Sequence, residues 1–209
     1  MSLRFSALSR LFSLLLLSVG VAACSPEPAP LPFIGNDIST AGIGRTLELV
    51  DGKGDTRTLA DFSGKAVVVF FGFTQCPDVC PTAMVQLASA MEMLGDDAKH
   101  VQVLLITVDP ERDTPEIMQS YVEAFSPTFI GLTGTPDQVR KTAQSFKAFY
   151  AKVPAPQGGG QYTMDHSSSF YLLDKTGKTR VLMRGDASPE DIQHDLQLLL
   201  SAAPSSAHK

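Results

Sequence analysis

"KAVVVFFGFTQCPDVCPTAM", residues 65–84, combines an apolar run, two cysteines and the start of a helical pattern. The first part is a continuous run of apolar, β-branched and aromatic residues, which is typical of a strand buried on both faces. Two of the chain's three cysteines, Cys76 and Cys80, follow this run, and each of them precedes a proline. Such a pair can form a structural disulfide, act as a redox switch or supply part of a metal site.

Further strand patterns lie on either side of this stretch. Residues 101–109, "VQVLLITVD", predict a second buried strand, and residues 167–185 predict two strands joined by a turn at Gly177. Residues 46–62, "TLELVDGKGDTRTLADF", predict an N-terminal β-hairpin. These strands alternate with amphipathic helical patterns, which predicts an α/β fold with a central sheet, flanking helices and βαβ crossovers. The helices are expected near Pro81–Leu94, Pro115–Phe125, Pro136–Tyr150 and Pro189–Ala202.

The N-terminal residues have the pattern of an export signal. Two arginines precede the short apolar run "LFSLLLLSVGV", which predicts a signal peptide over residues 1–23. The sequence "VAAC" resembles the cleavage site of a bacterial lipoprotein, with Cys24 as the lipidated first residue of the mature chain. The alternative is an ordinary signal anchor with an incidental cysteine. Both alternatives place the globular part outside the cytoplasm, on the periplasmic side of a membrane, where cysteines can be oxidised.

The remaining chain divides into a tether, one domain and a tail. Residues 24–38 have a proline at every second position from Pro26 to Pro32, which is typical of a semi-rigid extended segment. Residues 39–203 are expected to form the single domain, and residues 204–209 a disordered tail. The formal net charge is −5 and there is no basic stripe, which argues against a nucleic-acid partner.

The cysteine pair has a helix start of its own. Three predicted helices begin with Ser or Thr followed by Pro and an acid, as in "DTPE", and "VCPT" has Cys80 in the place of that Ser or Thr. We therefore expect Cys80 at the N-cap, where the helix dipole favours a thiolate. A disulfide closing so small a loop would stabilise the fold little. Dithiol exchange usually uses Cys-x-x-Cys, and metals other than two-coordinate Cu(I) need a further ligand.

His166 is the candidate for that further ligand. It lies in "YTMDHSSSF", just before a predicted buried strand, although a histidine beside a strand can also be purely structural. Two thiolates and one imidazole form a soft three-ligand set that suits copper. Asp109 or Asp165 could orient the imidazole or neutralise the site, and Asp109 could equally be a turn residue. The Cys76 and Asp109 loops follow neighbouring predicted strands, so both should face one crevice.

Three segments, "GFTQCPDVCPTAM", "TVDPERDTPE" and "YTMDHSSSFYLLDKTGK", resemble the signature segments of the Sco/SenC family in order and spacing. Members of this family are membrane-tethered, thioredoxin-like copper proteins that assist cytochrome c oxidase assembly, and the similarity runs from about Asp37 to about Leu200. The resemblance implies a thioredoxin-like core with an added N-terminal hairpin. It also implies that Cys76, Cys80 and His166 bind both Cu(I) and Cu(II), with Asp109 near the site.

The resemblance suggests a metallochaperone as the first hypothesis. Such a protein, lipid-anchored to the membrane through Cys24, would take copper from a periplasmic donor. It would deliver the copper to the binuclear centre of cytochrome c oxidase subunit II. The alternative is an enzyme, a thiol–disulfide reductase in which Cys76 and Cys80 keep the acceptor's cysteines reduced and rely on a thioredoxin-like reductant. A copper or redox sensor is the third alternative.

Overall fold

The predicted buried strand lies inside a mixed eight-stranded sheet in the computed structural model, which describes residues 31–155 and 162–202. The strands are β1 (Asn36–Asp37), β2 (Glu48–Asp51), β3 (Thr56–Thr58), β4 (Ala66–Gly72), β5 (Val101–Thr107), β6 (Ile130–Thr133), β7 (Tyr150–Pro154), β8 (Tyr162–His166), β9 (Ser169–Leu173) and β10 (Thr179–Arg184). The helices are α1 (Val79–Leu94), α2 (Pro115–Glu123), α3 (Pro136–Phe146) and α4 (Pro189–Ser201), with 3₁₀ turns at Leu59–Phe62 and Gly95–His100.

The order of strands in the large sheet is β1-β10-β9-β4-β5-β6-β2-β3. The neighbouring strands β4, β5 and β6 run parallel, and the other pairs are antiparallel. Every residue of β4 and β5 is buried, as their uninterrupted apolar sequences predict. The α/β fold and the added N-terminal hairpin, β2–β3, are confirmed. β6 was not among the predicted strands, because its four residues are too few to form a recognisable pattern.

The helix starts agree with the sequence at three of four helices. The side chains of Thr114, Thr135 and Ser188 each accept the backbone N–H three residues further on, as predicted for N-caps. The fourth helix, α1, begins earlier than expected. Its N-cap is Asp78, whose carbonyl accepts the N–H of Thr82.

Cys80 is therefore not at the N-cap, and that prediction is wrong by two positions. It lies in the first turn of α1, which begins at Val79. Pro81 occupies the third helical position, where a backbone N–H has no acceptor within the helix, so the proline removes no hydrogen bond. The preference of a residue before proline for extended backbone is only a bias, and this helix overrides it.

Strands β7 and β8 form a separate two-stranded ribbon that is not hydrogen-bonded into the large sheet. His166 is the last residue of β8, where it pairs with Tyr150, and it also lies just before the buried strand β9, as predicted. These strands contain lysine, aspartate and proline without a continuous apolar run, so they carry no clear strand pattern. The two strands predicted after His166, β9 and β10, are present as expected.

The N-terminal part of the described chain is attached to the sheet and to α4. β1 pairs with β10, and the buried carboxylate of Asp195 accepts the backbone N–H groups of Ile34 and Gly35 at 2.8 and 2.9 Å. Residues 34–37 thus contact the folded unit, although they fall within the predicted tether 24–38. The predicted signal peptide 1–23, Cys24 and the tail 204–209 lie outside the described residues. None of the described helices has the length and apolar character needed to span a membrane.

Candidate metal centre

Cys76 and Cys80 lie where β4 ends and α1 begins. Both are free thiols; Cys80 is fully buried and Cys76 is half-buried. The backbone N–H of Cys80, in the first turn of α1, donates to Sγ of Cys76 at 3.4 Å. The N-terminus of α1 thus donates a hydrogen bond to the sulfur of Cys76, which precedes the helix, and not to the sulfur of Cys80.

Gly72, the last residue of β4, leaves space for the Cys80 thiol. A Cβ atom added at this glycine would lie 2.9 Å from Sγ of Cys80 and 3.1 Å from Cδ1 of Leu105. These distances are too short for ordinary packing, so the absence of a side chain lets the thiol lie directly against the sheet.

His166 reaches the cysteine pair from the β7–β8 ribbon. Its Nε2 atom lies 3.5 Å from Sγ of Cys80, and its Nδ1 atom lies 3.0 Å from the carbonyl oxygen of Ser167. Because that carbonyl can only accept, Nδ1 donates to it, and Nε2 is the ring nitrogen that faces the sulfurs. The imidazole ring packs edge-to-face with two phenylalanine rings. Its centroid lies 6.3 Å from that of Phe70 and 5.8 Å from that of Phe73.

The three candidate ligands form one compact cluster. The ligand atoms of Cys76, Cys80 and His166 all lie within 4.8 Å of one another, so together they could hold a metal ion. Two sulfurs and one imidazole nitrogen are the donors that copper prefers, whereas a structural Zn²⁺ site would require a fourth ligand. The donor set therefore fits copper better than zinc.

The two cysteines differ in their protonation. The pKa of Cys76 is lowered to about 3, chiefly because its sulfur accepts a hydrogen bond from the Cys80 thiol, with further help from His166 and backbone N–H groups. The pKa of Cys80 is raised, because its thiol donates that hydrogen bond and because it is buried. The thiolate expected at Cys80 is thus found at Cys76. The reason is that Cys76 receives the hydrogen bonds and is partly solvated.

This difference predicts selective alkylation of Cys76 in the reduced, metal-free protein. Because the thiolate is the reacting form and persists down to about pH 3, the rate of reaction with iodoacetamide should be nearly constant between about pH 8 and about pH 5. The same cysteine in the denatured chain should slow about tenfold per pH unit below its ordinary pKa of ~8.5. Peptide mass spectrometry after timed labelling measures both rates. An equal pH dependence in the folded and denatured chains would contradict the assignment.

The two candidate carboxylates, Asp109 and Asp165, differ in burial and in their partners. Asp165 is exposed, and Asp109 is buried, with an ion pair to Arg112 and a hydrogen bond from the Tyr162 hydroxyl at 2.9 Å. In the described part of the chain, neither carboxylate hydrogen-bonds His166, whose Nδ1 atom is oriented by a backbone carbonyl instead. The predicted orienting role of these carboxylates is therefore not observed. The reason is that successive side chains of β8 point to opposite faces and Asp109 is already paired.

The SCO1/SenC family model matches residues 36–201 of the chain. The chain belongs to this family. A "SCO2-like protein" from Rickettsia felis is 37% identical over 155 residues, which cover 74% of this chain and 76% of the relative.

Two solved structures of the SCO1/SenC family support the thioredoxin-like fold that the sequence resemblance implies. Bradyrhizobium japonicum ScoI, described with copper bound, is 38% identical with a TM-score of 0.69, and the match covers 76% of this chain and 99% of that chain. A SCO1/SenC family lipoprotein from Bacillus anthracis is 27% identical with a TM-score of 0.62, and the match covers 74% and 92% of the two chains.

Asp113 is a residue of this SCO1/SenC site that the sequence did not single out. Its buried carboxylate accepts the backbone N–H and the hydroxyl of Thr74 at 3.1 and 2.6 Å, and the hydroxyl of Thr107 at 2.6 Å. It thereby fastens the loop before Cys76 to the end of β5, and the two loops predicted to share a crevice do meet. The sequence feature that could have indicated Asp113 is its position as a further carboxylate in the segment "TVDPERD", four residues after Asp109.

Proposed function

We propose that the protein is a copper chaperone that binds copper through Cys76, Cys80 and His166 and assists assembly of the binuclear copper centre of cytochrome c oxidase. The observation that carries this proposal is the cluster of two sulfurs and one imidazole nitrogen within 4.8 Å. It is supported by the description of the similar Bradyrhizobium protein with copper bound. The fit of soft ligands to copper provides the chemical reason.

The geometry of the cluster suits a metal that must leave again. Two thiolates suffice for Cu(I), and adding the imidazole makes a three-ligand set for Cu(II). Cys80 is buried, while Cys76 and His166 are only half-buried, so an incoming thiolate can approach the ion from the side of these two residues. Copper can then pass by ligand exchange to the cysteines of the acceptor, with donor and acceptor sulfurs sharing the ion.

The site of action in this proposal is the periplasmic side of a membrane. Its support is the signal-like segment 1–23, the cysteine at position 24 and the similarity to a Bacillus anthracis protein described as a lipoprotein. A lipid on Cys24 and the proline-rich segment after it would tether the domain near the oxidase. The partners are then a periplasmic copper donor, a thioredoxin-like reductant and cytochrome c oxidase subunit II.

A copper titration of the reduced full chain in detergent micelles tests the binding step. We expect about one equivalent of Cu(II) to bind and to produce a thiolate-to-copper charge-transfer band in the visible spectrum. Cys76→Ser should remove most of the band, and the exposed-site control His100→Ala should leave it unchanged. A native chain without this band would refute Cu(II) binding through the cysteines. In cells that carry only Cys76→Ser, oxidase with normal copper content would refute the assembly role.

Thiol–disulfide reduction is the second candidate function, and the half-buried Cys76 thiolate favours it. The Cys76 thiolate would attack an acceptor disulfide and form a mixed disulfide, releasing one acceptor sulfur as a thiolate. Cys80, after losing its proton, would attack Cys76 and release the second acceptor sulfur. The products are a Cys76–Cys80 disulfide and a reduced acceptor, and a thioredoxin-like dithiol would restore the starting state.

A further inference from the structure

The ribbon that carries His166 depends on side-chain contacts for its position. β7 and β8 pair with each other only, and a two-stranded ribbon has little stability of its own. Next to the pair Tyr150–His166, the flanking residues Phe149 and Ser167 form two hydrogen bonds, both of 2.9 Å. These bonds also join the two strands of the ribbon to each other and do not attach the ribbon to the rest of the protein. Contacts to the rest of the protein must therefore hold His166 over the cysteines.

Arg112 makes such contacts to three segments at once. Its Nε atom pairs with the carboxylate of Asp109, in the loop between β5 and α2. Its Nη1 atom donates to Oε1 of Gln75 at 2.9 Å and to the carbonyl oxygen of Tyr162 at 3.2 Å. Gln75 immediately precedes Cys76, and Tyr162 is the first residue of β8. One guanidinium group therefore joins the cysteine loop to the strand that ends at His166.

The ring of Tyr162 strengthens this junction. The guanidinium carbon of Arg112 lies 4.0 Å from the ring centroid, and the Tyr162 hydroxyl donates to Asp109 at 2.9 Å. Nζ of Lys152, on the other strand of the ribbon, lies 4.5 Å from the same centroid and pairs with Glu111 at 2.6 Å. Cation–π contacts of this kind are attractive, so both strands of the ribbon are drawn to the loop between β5 and α2.

The burial of this junction indicates that Arg112 cannot be removed without consequence. The carboxylate side chain of Asp109 is only 1% exposed, and that of Arg112 is 23% exposed. Without the guanidinium, the buried carboxylate of Asp109 would lose its ion pair. The hydroxyl of Tyr162 would then be the remaining ribbon group among the described residues that hydrogen-bonds it. Such a charge draws in water and loosens the packing around it.

We propose that Arg112 is a positioning residue that holds the His166 ribbon against the cysteine loop and thereby sets how strongly the site prefers Cu(II) over Cu(I). This inference rests on the proposed copper-binding function. Cu(I) can be held by Cys76 and Cys80 alone, which do not belong to the ribbon, whereas Cu(II) needs the imidazole as a third ligand. Loosening the ribbon should therefore weaken Cu(II) binding more than Cu(I) binding.

Chelator competition with the reduced full chain in detergent, using Cu(II) and Cu(I) separately, tests the preference. We expect Arg112→Met to weaken Cu(II) binding about tenfold or more and Cu(I) binding less than about threefold, as is usual for residues that orient metal ligands. Arg112→Lys, which keeps the charge but not the planar fork, should lie between native and Arg112→Met. In the His166→Ala background, Arg112→Met should have almost no further effect on Cu(II). Equal losses for both ions, or full additivity with His166→Ala, would overturn the proposal.

A second measurement is made without copper. Hydrogen exchange of the β7–β8 amides in the metal-free chain should be about tenfold faster in Arg112→Met, while exchange in β4 and β5 stays the same. The matched control is Arg140→Met, because Arg140 makes the same i,i+3 ion pair with the exposed Asp137, and its side-chain hydrogen bonds go to Asp137 and Gln144 of α3 instead of to the ribbon. If Arg112→Met does not fold, Tyr162→Leu removes the ring and hydroxyl from the other side of the junction. Unchanged ribbon exchange in the folded variant refutes the positioning role whether or not the native chain binds copper.

Discussion

His166→Ala is expected to weaken Cu(II) binding by at least about a hundredfold, because it removes one of three ligands. Removing a residue that only hydrogen-bonds a metal ligand costs about 10–100-fold, so loss of the ligand itself should cost more. Cu(I) should remain bound, since both sulfurs are unchanged. The imidazole lies 3.5 Å from Sγ of Cys80, so its removal leaves a gap on one side of the cluster. Competition titrations with both copper ions and the visible spectrum measure the change.

The same variant separates the two candidate functions. Reduction of a disulfide uses only the sulfurs of Cys76 and Cys80, so His166→Ala should retain most of any reductase activity. Loss of either cysteine should abolish both activities. The control is His100→Ala, at an exposed position in the turn before β5. Unchanged Cu(II) affinity in His166→Ala would exclude the imidazole as a ligand.

Asp113→Ala is expected to lower the free energy of unfolding by about 3 kcal/mol, because three donors lose their only charged acceptor in a buried place. These donors are the backbone N–H and hydroxyl of Thr74 and the hydroxyl of Thr107. The loop before Cys76 should become less ordered as well, since Thr74 is its attachment to the end of β5. Chemical denaturation of the metal-free chain measures the change in stability.

Two further variants make the Asp113 experiment specific. Asp113→Asn keeps one oxygen acceptor and should cost less than the alanine. Asp137→Ala removes an exposed carboxylate that pairs with Arg140 and Lys141, and it should change stability by less than about 0.5 kcal/mol. A loss below about 1 kcal/mol in Asp113→Ala would show that water replaces the carboxylate, and the anchoring role would be wrong.

Local sequence patterns were sufficient wherever a segment's own residues determine its conformation. The apolar runs of β4 and β5 predicted buried central strands, and Thr114, Thr135 and Ser188 predicted three helix starts. The ribbon β7–β8 was missed because its residues are polar and mixed. Its position involves residues that are distant in sequence: Tyr162 contacts Arg112 and Asp109, which lie 50 and 53 residues away, and Met164 is buried in the hydrophobic core.

The chemistry of the site divides in the same way. The sequence alone identified Cys76, Cys80 and His166 as candidate ligands, because residue type and spacing define a donor set before any folding is considered. The tertiary structure decided which cysteine is the thiolate, because the Cys80 thiol donates a hydrogen bond to the sulfur of Cys76 and the Cys80 backbone N–H adds a smaller contribution. It also brought His166 to Cys80 across 86 residues. Protonation and orientation depend on such through-space contacts, and only the folded chain provides them.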